Sequence, residues 1–193
     1  MSESRINDFN EFELSLLNDD EKAAALKNKE RLAIRPQEMP SQAADIRNSN
    51  LIEVATGYSF EQARLESLRC LQCKTQPCVA DCPVGINIPL FISYIAKGEY
   101  EKAIGVIKET SLLPAVCGRV CPQETQCQLN CTVGKSLKDV DKSVAIGRLE
   151  RFVADWEREN NKVVIPEKKP DSGKKVAVIG SGPAGLVVAA DCR

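Results

Sequence analysis

The chain has 193 residues, 43% hydrophobic and 27% charged, with 26 basic against 27 acidic side chains and no histidine. That length supports one packed domain, or one domain and a fragment. A net charge of −1 and 5% aromatics argue against a nucleic-acid or anionic-membrane partner, and the missing histidine removes Ser-His and Cys-His nucleophile pairs and His-ligated zinc or haem.

The first segment, "MSESRINDFNEFELSLLNDDEK", is polar and acidic where a signal peptide needs an apolar run. No apolar stretch approaches the ~20 residues of a membrane span. A cytoplasmic protein is expected, in which clustered thiols bind metal more often than they form disulfides. Phe12, Leu16, Ala23 and Leu26 recur among charges up to Pro36, which predicts a helical arm over 1–36 that packs on the body or on a partner.

Residues 37–165 read as an α-helical domain. Ser59 with Gln62 is a capping-box signature, so "FEQARLESLR" predicts a helix that delivers Cys70 at its end. "NIPLFISYIAKGEYEKAIGVIKET" predicts a helical hairpin: Asn87 caps, Pro89 lies in the first turn, Gly98 breaks the pattern. Its buried faces would be Leu90, Ile92, Ile95, Ala103, Ile104 and Ile107. A third helix, over 143–160, carries Ile146, Leu149, Phe152, Val153 and Trp156 at helical spacing, a core stripe. Residues 166–175 form a polar linker, and 176–193 supply a β-branched strand, a glycine turn and a helix start.

Eight of nine cysteines fall in two loops: Cys70, Cys73, Cys78 and Cys82, then Cys117, Cys121, Cys127 and Cys131. Nine is an odd number for a disulfide framework. Short gaps let one loop wrap several sulfurs around a compact soft centre, an iron–sulfur cube or zinc. The first loop resembles the ferredoxin run, whose fourth cysteine precedes proline and binds the other cluster. By that division Cys70, Cys73 and Cys78 share one cube and Cys82 reaches to a second. The rival is a non-catalytic, zinc-stabilised interaction domain, although only Cys70 and Cys73 have the spacing of a zinc knuckle.

"VAVIGSGPAG" places Gly180, Gly182 and Gly185, with Ser181, Pro183 and Ala184 between them, after a predicted strand and before a predicted helix. That context marks a dinucleotide-binding turn: Gly180 for the bend, Gly182 for approach of a pyrophosphate, Gly185 for helix packing. The acidic partner of such a turn stands about 20 residues on, so 176–193 would be only the start of an FAD- or nicotinamide-binding Rossmann domain. Cys192, on the predicted helix, reads as a small buried residue.

Four blocks, "RCLQCKTQPCVADCPVGINIPLFI", "LLPAVCGRVCPQETQCQLNC", "VAIGRLERFVADWE" and "KKVAVIGSGPAGL", closely resemble the small (β) subunit of NADPH-dependent glutamate synthase. They equally resemble two sister chains. One is the large subunit of electron-bifurcating ferredoxin:NADP+ oxidoreductase, also described as sulfide dehydrogenase. The other is the N-terminal part of dihydropyrimidine dehydrogenase. The resemblance runs from Arg47 to Leu186 and implies a mainly α, ferredoxin-like domain with two [4Fe–4S] clusters, ahead of FAD and NADPH domains. It implies Cys70, Cys73, Cys78 and Cys131 at one cluster, and Cys82, Cys121, Cys127 and Glu150 at the other, with Cys117 left over. It further implies electron relay from NADPH through FAD and the clusters to a partner, the glutamate synthase large subunit or a ferredoxin or flavin reductase subunit. No acid, base or nucleophile is expected, and an oligomer is.

Overall fold

A computed structural model describes residues 8–193. Among the described residues the secondary structure is helical, apart from one isolated antiparallel bridge, Ser41 with Ala55. The arm holds three short helices, α1 (Glu11–Asn18), α2 (Asp20–Ala24) and α3 (Asn28–Ala33). Asn10 caps α1 by accepting from the Glu13 N–H at 2.9 Å, while the Glu13 carboxylate accepts from the Asn10 N–H at 3.0 Å. Residues 1–7 of the predicted arm lie outside the described residues. After α4 (Ala44–Arg47), α5 (Phe60–Leu68) begins at the predicted Ser59–Gln62 capping box and ends just before Cys70.

The body follows. α6 (Pro77–Ala80) sits inside the first cysteine loop, and α7 (Ile88–Ala96) and α8 (Tyr100–Lys108) form the hairpin. α9 (Pro114–Val120) leads into the second loop, α10 (Thr132–Leu137) leaves it, and α11 (Ile146–Glu159) crosses the domain. α12 (Pro183–Asp191) lies beyond the linker. Asn87 caps α7 by accepting from the Leu90 N–H, and Gly98 takes a φ of +74° at the hairpin turn, a conformation only glycine adopts freely.

α5, α7, α8 and α11 enclose the main core of Phe91, Ile92, Ile95, Ala103, Ile104, Ile107, Leu149 and Val153. Leu90 departs from expectation and is exposed. The buried face of α7 follows Ile88, Phe91, Ile92 and Ile95, spaced i, i+3, i+4, i+7, and position 90 falls off that stripe. At one end of α11, Tyr100 meets Phe60, Phe152 and Trp156 with ring centroids 5.3–5.7 Å apart. Trp156 is only half-buried.

The arm packs on the body. Leu16, Ala23, Leu26 and Ile34 form a second core with Leu65 and Leu68 of α5, each large side chain contributing about 1.5–3 kcal/mol. Polar groups complete the join. Glu66 and Arg69, both fully buried, pair at 2.6 Å. Glu66 also accepts from the backbone N–H of Gln37 and of Ala145, both at 2.8 Å, while Arg69 donates to the carbonyls of Ile34 and Ser143. One ion pair thus fastens the end of the arm, α5 and the start of α11.

Two expectations at the far end are corrected. Residues 176–179 form no strand, because a strand's backbone bonds go to a neighbour and the described residues offer none beside them. Cys192 is exposed rather than buried, since no residue of α12 is buried against anything.

Removing one member of a buried pair strands the other charge, at a cost of about 3–5 kcal/mol. Arg69→Ala is therefore expected to lower the urea midpoint steeply, whereas Arg158→Ala, whose side chain is exposed, should leave it nearly unchanged.

Candidate metal centre

The two cysteine loops interleave. Cys70 follows α5, and its carbonyl accepts from Arg31 at 3.2 Å. Cys78 rides on α6, which Gln76 starts with a left-handed φ of +44°. In the second loop Cys121 ends α9 and Cys131 precedes α10. Asn130 ties the loops together by donating to Asp81 at 2.8 Å. Gln128 donates to the Val144 carbonyl at 2.9 Å, and its own carbonyl accepts from Ser143 at 3.0 Å, which fixes the second loop to the start of α11.

One cavity is walled by Cys70, Cys73 and Cys78 from the first loop and Cys131 from the second, with Ile88, Ile92 and Val144 around them. Cys82 lies within electrostatic reach of Cys121 and Cys127, and Cys127 also feels Cys78. Among the described residues no three of Cys, Asp or Glu converge tightly enough to hold a single metal ion; the sulfurs surround a space instead. All the cysteines are free of disulfides.

Glu150 lies within electrostatic reach of Cys121 and Cys127. α11 turns it inward to 6% exposure, and burial pushes its carboxyl up to about 7. Its charge is felt by both Cys121 and Cys127, yet its buried Oε1 has no hydrogen-bond partner. A buried carboxylate oxygen left without a partner is costly. The approach of α9 to α11 brings it close: a methyl group on Gly118 would sit 2.6 Å from the Arg151 backbone nitrogen. Arg151, itself buried, pairs with Asp155 and Glu53 instead of Glu150. Cys117 stands one helical turn before Cys121 and in hydrogen-bond contact with its sulfur, a neighbour of this group as its sequence position suggested.

Burial also governs the thiols. It pushes Cys70 up to about 11 and Cys78 up to about 12, with nearby thiolates adding to the shift. Cys127 is pushed up to about 12 and Cys121 to about 11, again first by burial. Without metal these thiols are protonated at neutral pH; a bound cation reverses that preference.

The glycine turn has the local geometry of its motif. Gly180 takes a φ of +108°, a methyl group on Gly185 would meet the Gly180 carbonyl oxygen at 2.2 Å, and the space at Gly182 is open. Gly182 caps α12 with no side chain in the way.

Two groups of thiols, each drawn from both loops of a helical domain, define the class: a domain suited to soft metal centres. The comparisons make the class specific. The family model for dihydropyrimidine dehydrogenase domain II, 4Fe-4S cluster, matches residues 47–162, and the chain belongs to that family. It is 35% identical over 160 residues to the glutamate synthase [NADPH] small chain of Azospirillum brasilense, covering 81% of this chain and 32% of that protein. It is 40% identical over 151 residues to the putative oxidoreductase UacF of Escherichia coli, covering 75% of this chain and 22% of that one. With the NADPH-Fe(3+) oxidoreductase subunit beta of Geobacter sulfurreducens it shares 40% over 115 residues, 60% of this chain and 16% of the other. The chain thus spans a third or less of the length of these relatives.

Alkylation reads the thiols directly, because the thiolate is the reactive form. In metal-free protein at pH 7.5, exposed Cys192 is expected to be labelled well before Cys70, Cys78 and Cys127, and those three should gain reactivity as pH rises. Mass spectrometry of peptides sampled over time would check the order.

Proposed function

We propose that this chain is the two-cluster electron-transfer module of an NADPH-dependent flavoprotein oxidoreductase subunit of the glutamate synthase type. Cys70, Cys73, Cys78 and Cys131 would hold one [4Fe–4S] cluster, and Cys82, Cys121, Cys127 and Glu150 the other. Bound there, the clusters supply one-electron carriers, and a flavin supplies the change from hydride to single electrons.

The observation that carries the reading is the Glu150 carboxylate: deeply buried, beside the thiols of Cys121 and Cys127, with an oxygen that lacks a partner. A carboxylate ligand gives that oxygen its bond and fills the fourth place beside three cysteines. The zinc alternative asks for sulfurs about 2.3 Å from one ion, a closer gathering than either group makes.

The chain's own residues do the positioning. α9, α10 and α11 set the second loop and Glu150, while the first loop hangs between α5 and α7. The turn from Gly180 to Gly185, with Ser181, Pro183 and Ala184, would receive the pyrophosphate of FAD at the start of α12. These residues are not enough to enclose a flavin. Among the relatives, the names "small chain" and "subunit beta" support a partner subunit, which we take as the acceptor of electrons.

Anaerobic reconstitution with iron and sulfide tests the reading. The expected product is brown, with about eight iron and about eight sulfide per chain, as two four-iron cubes require. A colourless protein holding zinc and no inorganic sulfide would sink it. Glu150→Ala is expected to damage one cluster and spare the other, seen as the loss or change of one of two paramagnetic signals on reduction. Cys117→Ser should keep both.

A further inference from the structure

Among the described residues, two amide or hydroxyl side chains outside the proposed ligand sets meet ligand sulfurs, and both meet the same group. Gln72 Nε2 donates to Cys70 Sγ at 3.4 Å, reasonable for a large sulfur acceptor, and to the Pro89 carbonyl at 2.9 Å. Both partners are acceptors, so the amide nitrogen, not its oxygen, must face them. Gln72 is held at a φ of +50°, a left-handed conformation that costs a side-chain-bearing residue about 1–3 kcal/mol. The loop keeps this strain while aiming the amide at the sulfur.

On the other wall, Thr132 Oγ1 lies 3.2 Å from Cys73 Sγ. With a proton on sulfur the thiol donates; once the sulfur is a metal-bound thiolate it has no proton, and the threonine hydroxyl becomes the donor. Thr132 directly follows Cys131 and lines the same cavity. Arg31, donating to the carbonyls of Leu68 and Cys70, fixes a positive charge nearby. Among the described residues no amide, hydroxyl or cationic side chain donates to the sulfur of Cys82, Cys121 or Cys127; Cys121 has only the Cys117 thiol.

We infer that Gln72 and Thr132 tune the centre of Cys70, Cys73, Cys78 and Cys131 to be the easier of the two to reduce. This rests on the cluster reading above. Gaining one electron adds negative charge to the ligand sulfurs, and donors aimed at them stabilise that form and raise the potential. The second group has no such donor, and its four proposed ligands, three thiolates and the Glu150 carboxylate, carry the same charge as four thiolates. The donors therefore set the gap: an electron shared between the centres rests on the side of Gln72 and Thr132.

The test is a potentiometric titration of the reconstituted full chain, followed by electron paramagnetic resonance, with iron and sulfide counted for each variant. Glu150→Gln identifies which signal belongs to the second centre and should raise its midpoint. Thr132→Val and Gln72→Leu should retain their iron and lower the midpoint of the other signal alone. An effect of about tenfold in the reduced-to-oxidised ratio equals about 59 mV for one electron. Thr132→Ser should restore the wild-type value, which a packing role for the residue would not predict. The inference is overturned if both donor variants keep wild-type potentials at full iron content, or if they move the Glu150-linked signal instead. Should Gln72→Leu fail to load, the nearly isosteric Thr132→Val decides alone. Absence of any cluster in the wild-type chain would count against the cluster reading itself, and the inference would fall with it.

Discussion

The buried pair of Glu66 and Arg69 is the joint on which this molecule depends. It lies one residue before Cys70, and its hydrogen bonds reach backward to Ile34 and Gln37 and forward to Ser143 and Ala145. Three pieces distant in sequence are fixed relative to one another at that point: the arm, the helix before the first cysteine loop, and the start of the helix that carries Glu150. A hydrophobic contact would hold these pieces together without fixing their angle. The directional bonds of a carboxylate and a guanidinium fix position as well.

From that joint the site is laid out in short steps. α5 delivers Cys70, α7 backs the first loop, and α11 presents Glu150 across from Cys121. The close crossing of α9 and α11 needs glycine at 118, because a methyl group there would collide with the Arg151 backbone. The second loop is then pulled against α11 by Gln128 and Ser143. Each of these contacts is local, yet together they turn two distant loops into two interleaved groups.

Much of this was legible in the sequence. The capping box at Ser59, the Asn87 cap, the turn at Gly98 and the core stripe of α11 are local signals, and the structure bears them out. The burial of Leu16, Ala23 and Leu26 also agrees with their spacing. Leu90 was misjudged because an all-apolar helix such as α7 does not announce which stripe faces inward. The strand at 176–179 was misjudged because a β-branched run states only a preference, whereas the strand itself is made by a partner. The missing partner of Glu150 Oε1, and the contacts of Gln72 and Thr132 with cysteine sulfurs, depend on long-range geometry that no local pattern encodes.

The interleaving of the loops bears on how the protein is made. The wall around Cys70, Cys73 and Cys78 is closed by Cys131, and Cys82 finds its neighbours only at Cys121 and Cys127. A nascent chain emerging from the ribosome therefore displays four thiols with no finished pocket until some fifty further residues have been synthesised. Only when α11 has also been made are Cys131, Cys121, Cys127 and Glu150 all present to face the first loop.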